Sequence, residues 1–383
     1  MNIDTDLRVC SRCVMDTSDK KIEFDKAGVC NHCKLFDSET SKRWFPGKKG
    51  EELLGQEIAR IKKEGRGSEY DCIIGLSGGV DSSYLAMKVA EWGLRPLVVH
   101  VDAGWNSELA VNNIKKITDK YKFDLHTHMV EWGEMRDLHL SFLRSGLSNQ
   151  DVPQDHAFFA ALYKYAVANN VKTILSGGNI ATESVMPLSW HGGSAMDAIN
   201  LKDVHYKNGG SKLKTYPMIG FLQYYLYFPF IRGMRTFRPL NFMDYDKNKA
   251  IVELEKELGW VSYGRKHGES RFTKVFQNDY LPRKYGYDKR KIHYASSILS
   301  GQMTRAEALN LLDEPLYDAQ ERTRDITFVC KKLKISIDDY ESFVAGKSAF
   351  YSDYRNWDTR LKFAKRAQAF VEKLLKKRIA KYS

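Results

Sequence analysis

Apolar positions along this chain follow two rhythms. Between Tyr70 and Asn179, short apolar runs alternate with longer stretches in which apolar residues are spaced by three or four. Beyond about Asp246 only the spaced pattern continues. The runs "CIIGL" (72–76), "PLVVHVD" (96–102), "FDLHTHMV" (123–130) and "VKTIL" (171–175) read as strands. After the first, "DSSYLAMKVAEWG" puts Leu85, Val89 and Trp92 on one helical face and stops at Gly93. "NSELAVNNIKKITDKYK" predicts a second helix with Asn106 or Ser107 as its cap, and "QDHAFFAALYKYAVANN" a third. Strands that alternate with helices imply right-handed crossovers and a parallel sheet covered on both faces. Ligands of such sheets bind beyond the carboxyl ends of the strands.

The remaining segments set the domain plan. A four-cysteine module is expected over 1–36, and a linker over 37–69 with one helix from about Glu51 to Lys63. The α/β domain is expected over 70–245, and a basic helical region over 246–383, where "DKNKAIVELEKELGW", "MTRAEALNLLDEP" and "TRLKFAKRAQAFVEKLLKKRI" have helical spacing. The most apolar stretch, Phe221 to Ile231, is too short to cross a bilayer. It is expected to be buried, with a substrate or partner surface as the alternative. The opening "MNIDTDLRVC" has no apolar signal core, so the expected location is cytoplasmic. A net charge of +12 over 383 residues suits an anionic ligand or partner. For the basic tail, a solvated amphipathic helix is preferred to a nucleic-acid arm.

Chemistry concentrates first in "LSGGVDSS". At a strand-to-helix junction, Gly78 and Gly79 let backbone N–H groups approach a phosphate, and the helix N-terminus adds positive potential. Ser77, Ser82 and Ser83 supply hydroxyls, and Asp81 can hold Mg²⁺ against phosphate oxygens. Simple helix capping is the competing reading. The loop is neither G-x-x-x-x-G-K-[ST] nor G-x-G-x-x-G. Cys10-x2-Cys13-x16-Cys30-x2-Cys33 has the spacing of a closed structural Zn²⁺ site, to which His32 would be redundant. Two disulfides would need an oxidising compartment.

Other candidates are set at the same sheet edge or in the late basic segment. Gly177 and Asn179 form a turn after the fourth strand, and Glu183 could assist Mg²⁺ or face solvent. Asp102 ends the second strand near the expected adenosine position. From Tyr263 to Leu309 the chain is dense in Arg, Lys, His and Tyr. There His267, Glu269, Arg271 and Arg283 are candidate substrate contacts, and Lys284 is the candidate cation for charge developing on phosphorus. A charged helical face is the alternative. His126 and His128 are expected to pack rather than to ligate, and His156, opening a helix beside Asp155, to cap or pack rather than to act as a general base.

The loop resembles the pyrophosphate-binding loop of the PP-loop ATP pyrophosphatase superfamily. The combination of cysteine knuckle, "LSGGVDSS", "LSGGNIATES" and "YLPRKYGYDKRKIHYASSILSGQMTRAEAL" is similar to the N-acetyl sugar amidotransferases of O-antigen and nonulosonic-acid pathways. That resemblance implies ATP, Mg²⁺ and structural Zn²⁺ as cofactors. Ser77, Gly78, Gly79, Asp81 and Ser82 would hold the β and γ phosphates. The implied reaction adenylates the acetamido oxygen of a sugar, and ammonia then displaces AMP. Residue 2 is Asn, not the Cys of class II glutaminase domains. A separate glutaminase is therefore expected, with a channelling subunit resembling the histidine-pathway synthase. A tRNA thiolase of the same superfamily is the runner-up. It would need reactive cysteines beyond the knuckle, where only Cys72 and Cys330 remain.

Overall fold

The computed structural model describes residues 7–263, 268–363 and 366. Five parallel strands form one sheet: β1 (Cys72–Gly75), β2 (Pro96–Asp102), β3 (Asp124–Met129), β4 (Thr173–Leu175) and β5 (Arg235–Phe237), in the order β3-β2-β1-β4-β5. Register follows Ile73 opposite Leu97 and Ile174, and Leu175 opposite Phe237. The order reverses between β1 and β4, so the loops leaving these two strands flank the switch point.

Alternation along the strands divides the core. Ile74, Val98 and Leu175 pack with helices α1 (Lys48–Glu64), α2 (Val80–Glu91) and α3 (Glu108–Tyr121) on one face. Ile73, Val99 and Ile174 meet Ala160, Leu162 and Tyr163 on the other. Each such buried side chain contributes about 1.5–3 kcal/mol. Ser107 caps α3 by accepting the Ala110 N–H, so of the two predicted caps the serine serves.

Helix α4 (Trp132–Ser145) is capped by the Glu131 carboxylate, which accepts the N–H groups of Gly133 and Glu134. Helix α5 (Val152–Ala168) follows, then α6 (Ala198–Asn208), before the three-residue β5 adds a fifth strand. Two of these longer helices, α4 and α6, and the fifth strand were not among the sequence expectations, whereas α5 was. The apolar stretch before β5 is a π-helix (Gln223–Ile231). It is not buried throughout, contrary to expectation. Phe228 stacks on Tyr163 at 4.5 Å and Tyr224 on Trp357 at 6.1 Å, whereas Leu222, Leu226, Phe230 and Ile231 are exposed. One stripe finds the core, and no described residue covers the other.

The later region is helical as expected: α7 (Lys247–Leu258), α8 (Lys289–Leu299), α9 (Arg305–Asp313), α10 (Ala319–Leu333) and α11 (Ile337–Ala345). The predicted last helix begins at 358, and most of it lies outside the described residues. The cysteine module packs against α8 and α9 in one apolar cluster that unites Met15 with Ile292, Ala295 and Ala308. No helix among the described residues is long and apolar enough to cross a membrane.

Candidate active site

The chain leaves β1 and turns at Gly78, whose φ of +84° is the left-handed region that favours glycine. A Cβ there would also stand 2.8 Å from the Ala110 carbonyl oxygen. The turn is pinned from outside: Trp260 Nε1 and Tyr263 Oη both donate to the Gly78 carbonyl, at 3.1 and 3.0 Å. Inside, Ser77 and Ser82 hydroxyls meet at 3.1 Å, and the Gly79 N–H donates to Ser77 Oγ at 3.3 Å. The α2 N-terminus begins at Val80 and points its first turn at the same space.

The second turn packs onto the first, backbone against backbone. A Cβ on Gly177 would lie 3.0 Å from the Asp81 carbonyl carbon and oxygen and 3.1 Å from the Ser82 nitrogen. Asn179 caps the short helix Ile180–Glu183 and donates from Nδ2 to Asp81 Oδ1 at 3.2 Å. The Tyr245 hydroxyl donates to the same oxygen. Burial, and then the Asp81 charge, hold that phenol protonated well above its usual range. Asp81 is thus aimed by two donors. It and Glu183 both line a cavity of about 750 Å³. Two carboxylates at one cavity wall are suitable oxygen donors for a hard divalent cation.

The cavity also takes in Ser77, Gly79, Ser82, Gly177 and Glu269 from the predicted set. An aromatic wall comes from α5 through Phe158, Phe159 and Tyr163. A polar wall comes from α8 through Lys289, His293, Tyr294 and Ser297, with Arg238 and Lys247 nearby. None of these α8 residues was singled out as a site residue, nor were Arg238 and Lys247. For α8 a signal existed: residues 289, 293 and 297 repeat every four positions and so share one helix face.

Other predicted residues are placed elsewhere. Ser83 is fully buried beneath the loop and does not line the cavity. Asp102 accepts the Gly104 N–H at 2.7 Å, closing the turn after β2, and does not line the cavity either. Lys284 does not reach it: its Nζ donates to the carbonyls of Phe343 and Gly346, both at 2.7 Å, at the C-terminal end of α11. Arg283 pairs with Asp279 at 3.1 Å and with Glu341 at 2.5 Å. The Arg271 guanidinium lies 4.4 Å above the Phe328 ring. His267 falls outside the described residues.

The expected histidine packing is observed at His156 and in part at His128, whereas His126 is exposed. His156 is buried between the Ala195 carbonyl and the Ile219 N–H, and desolvation pushes it down to about 4. His126 and His128 lie against the Tyr165 ring. Cys72 is buried in β1 with its thiol pushed up by desolvation. Burial also raises Cys330, to about 11.

The four remaining cysteines form a second centre. All are fully buried, and their sulfurs lie within 4.8 Å of one another. Neighbouring pairs are 3.6 Å (Cys30–Cys33), 3.7 Å (Cys13–Cys30) and 3.9 Å (Cys10–Cys33) apart. Four sulfurs at ~2.3 Å from one tetrahedral ion would be ~3.8 Å apart. Backbone N–H groups of Arg12, Cys13 and Cys30 point at Cys10 Sγ at 3.3–3.4 Å. The Cys13 side chain and these N–H groups bring the Cys10 thiol down to about 6. The donor set fits a metal. His32 is turned away and bonds Asp19 at 2.8 Å.

The strand order, the Ser-Gly-Gly-x-Asp-Ser loop at the switch point and the glycine turn packed on it define a parallel-sheet α/β domain with a phosphate-type loop at its carboxyl edge, the architecture that the resemblance implied. Residues 269–368, which include α8 to α11, match the family model described as "LPS biosynthesis protein WbpG-like, C-terminal domain". No curated protein matches the chain. Among solved structures, it is similar to an NMN synthetase from Francisella tularensis at 15% identity and a TM-score of 0.36, over 75% of this chain and 97% of that one. An NH3-dependent NAD synthetase from Campylobacter jejuni gives 12%, 0.32, 78% and 98% in the same order. The U34-tRNA thiolase NcsA from Methanococcus maripaludis, with its [4Fe-4S] cluster, gives 13%, 0.28, 66% and 81%.

Proposed function

We propose that the protein is an ATP-dependent amidotransferase that converts the acetamido group of an N-acetylated sugar to an acetamidino group, in lipopolysaccharide O-antigen biosynthesis. The observation that carries this reading is a shared cavity. The phosphate-type loop and the polar face of α8, which lies in the lipopolysaccharide-family segment, line the same 750 Å³ space.

The chemistry follows from the reactivity of an amide. An amide oxygen is a poor leaving group, so ammonia alone does not displace it. Attack of that oxygen on the α-phosphorus of ATP expels pyrophosphate and leaves an O-adenylyl imidate. Ammonia adds to the imidate carbon, the new nitrogen loses a proton, and the C–O bond breaks to release AMP. Ser77, Gly79 and Ser82 hold the departing pyrophosphate from the α2 N-terminus. Asp81 and Glu183 would hold Mg²⁺, which neutralises phosphate charge when bound. Lys289, Arg238 and Lys247 face the anionic part of the substrate, with a UDP-linked diacetamido uronic acid or a nonulosonic acid as the proposed class. The cation role first considered for Lys284 passes to these residues. The knuckle cysteines hold a structural zinc ion, and their sulfur spacing supports one ion rather than a cluster whose thiolates sit on separate irons. Ammonia comes from a separate cytoplasmic glutaminase through a channelling subunit.

The test is pyrophosphate release from Mg-ATP with ammonium, offered UDP-linked N-acetyl sugars and, separately, bulk tRNA with a sulfur donor. A sugar product lighter by about one mass unit, with AMP and pyrophosphate, supports the reading. Turnover only with tRNA and sulfur replaces it with the thiolase.

A further inference from the structure

Helix α8 is held on two sides. Lys289, His293 and Ser297 face the cavity. Lys291 is two residues on from Lys289, about 200° around the helix, and its ammonium pairs with Asp16 of the cysteine module. Asp16 is nearly fully buried, as are Ile292, Ala295 and Leu299, which share an apolar cluster with Cys10, Cys13 and Met15.

A second tie comes from α9. Arg305 Nε donates to the carbonyls of both Cys10 and Cys13, at 3.1 and 3.0 Å. These carbonyls belong to the turn that presents the first two sulfurs. One guanidinium therefore reads the shape of that turn, which opens if the sulfurs part. A third tie joins the module to the segment after the second glycine turn: Asp19 receives the Ser189 hydroxyl at 2.5 Å and, within the module, bonds the His32 ring at 2.8 Å.

From α8 the contact continues to the second glycine turn. Ser296 Oγ accepts the Val185 N–H at 3.0 Å, and Ser300 Oγ donates to the Ala181 carbonyl at 2.8 Å. These bonds flank Glu183. The first loop has its own clamp, in Trp260 and Tyr263 on the Gly78 carbonyl.

We propose that Arg305 and Lys291 are positioning residues through which the cysteine knuckle braces the α8 wall of the cavity, separately from the phosphate loop. The knuckle is then a remote determinant of the acceptor side of the site. The mechanical part of this proposal holds whichever acceptor is used.

The experiment measures amide deuterium exchange in the full-length, metal-loaded protein. The variants are Arg305→Ala, Arg305→Lys and Lys291→Met. With Arg305→Ala, amides of 292–299 exchange about tenfold faster, while those of α2 change by less than about twofold. Arg305→Lys, which keeps a donor, recovers part of the protection. Lys291→Met gives a smaller shift in the same helix and tests the tie to Asp16 if Arg305→Ala folds poorly. Metal content stays at the wild-type level. In the pyrophosphate assay, Arg305→Ala raises the KM of the acceptor and leaves that of ATP within about twofold. Unchanged exchange in α8 overturns the proposal, as does equal acceleration in α2 and α8. If the assay finds no acceptor, the proposed reaction fails, and the exchange data still decide the brace.

Discussion

Gly177→Ala isolates the contact between the two turns. The backbone conformation at 177 is not left-handed, so the added methyl causes no φ strain. Its effect is steric. The new carbon would sit 3.0 Å from the Asp81 carbonyl carbon, against an optimum of about 3.5–4.0 Å for two carbons. Relief requires the turns to separate by roughly 0.5–1 Å, and the obstructing atoms are main chain with no rotamer to change. Overpacking of this kind costs about 1–3 kcal/mol of stability. A misplacement of about 1 Å at a reacting centre can lower the rate on the order of a hundredfold. The neighbouring glycine is the internal control. A Cβ on Gly178 meets nothing nearer than Ser176 Oγ at 3.4 Å, an ordinary contact. We expect Gly177→Ala to lower ATP-dependent pyrophosphate release by ten- to a hundredfold and to weaken binding of a fluorescent ATP analogue, with Gly178→Ala within about threefold of wild type. Equal behaviour of the two variants would refute the reasoning, because only one of them forces the turns apart.

Metal analysis of freshly purified protein should find one zinc per chain; iron with acid-labile sulfide would replace zinc with a cluster. Tyr245→Phe removes one donor to Asp81 and should cost about 1.5–3 kcal/mol in thermal or denaturant unfolding, as for a hydrogen bond to a charged group. Lys284→Ala should retain full turnover while losing about 1 kcal/mol of stability, since the ammonium serves carbonyls at the end of α11; a large loss of kcat would restore it to the chemistry. Asp155→Asn should flatten the pH dependence of Tm. Desolvation by the surrounding protein, and then the adjacent Asp151 charge, raise the Asp155 carboxyl to about 8, although the residue keeps solvent exposure that screens part of this shift. The native state then keeps a proton that the unfolded chain has lost, so stability declines as pH rises from about 4 through 8. The variant should gain on wild type across that window, and a constant difference between the two Tm curves would disprove the assignment.

The sheet was legible because its strands are short, apolar and separated by glycine or polar turns. Four of the five strands could be placed from that pattern. β5 could not: three residues with Arg235 in the lead carry no periodicity, and their strand state comes from pairing with β4. Helix α4 left a signal that was not used, with Trp132, Met135, Leu138 and Phe142 at helical spacing and Gly146 as the stop. The phosphate loop was legible because its chemistry is local: strand, glycines, acid and helix are contiguous. The polar wall was not, because Arg238, Lys247 and Lys289 meet only after the chain returns three times to the same edge. Lys284 shows the converse. A lysine beside a proline in a basic segment suggests a ligand, yet three-dimensional placement gives it a helix end.

The bonds between Arg305 and the first cysteine turn join positions 295 and 292 residues apart. During synthesis that separation is a delay. At about 5–20 residues per second, the first cysteines leave the ribosome roughly 15–60 s before their arginine exists. Over that interval the short cysteine segment has no apolar surface of α8 or α9 to rest on, and its order comes from ion capture by its four thiolates and the few backbone bridges it makes within itself. The knuckle must then wait, already shaped, while the entire sheet is made, and it docks only once α8 and α9 have followed. If the ion is the proposed zinc, its supply during translation, rather than afterwards, would set the yield of correctly closed chains.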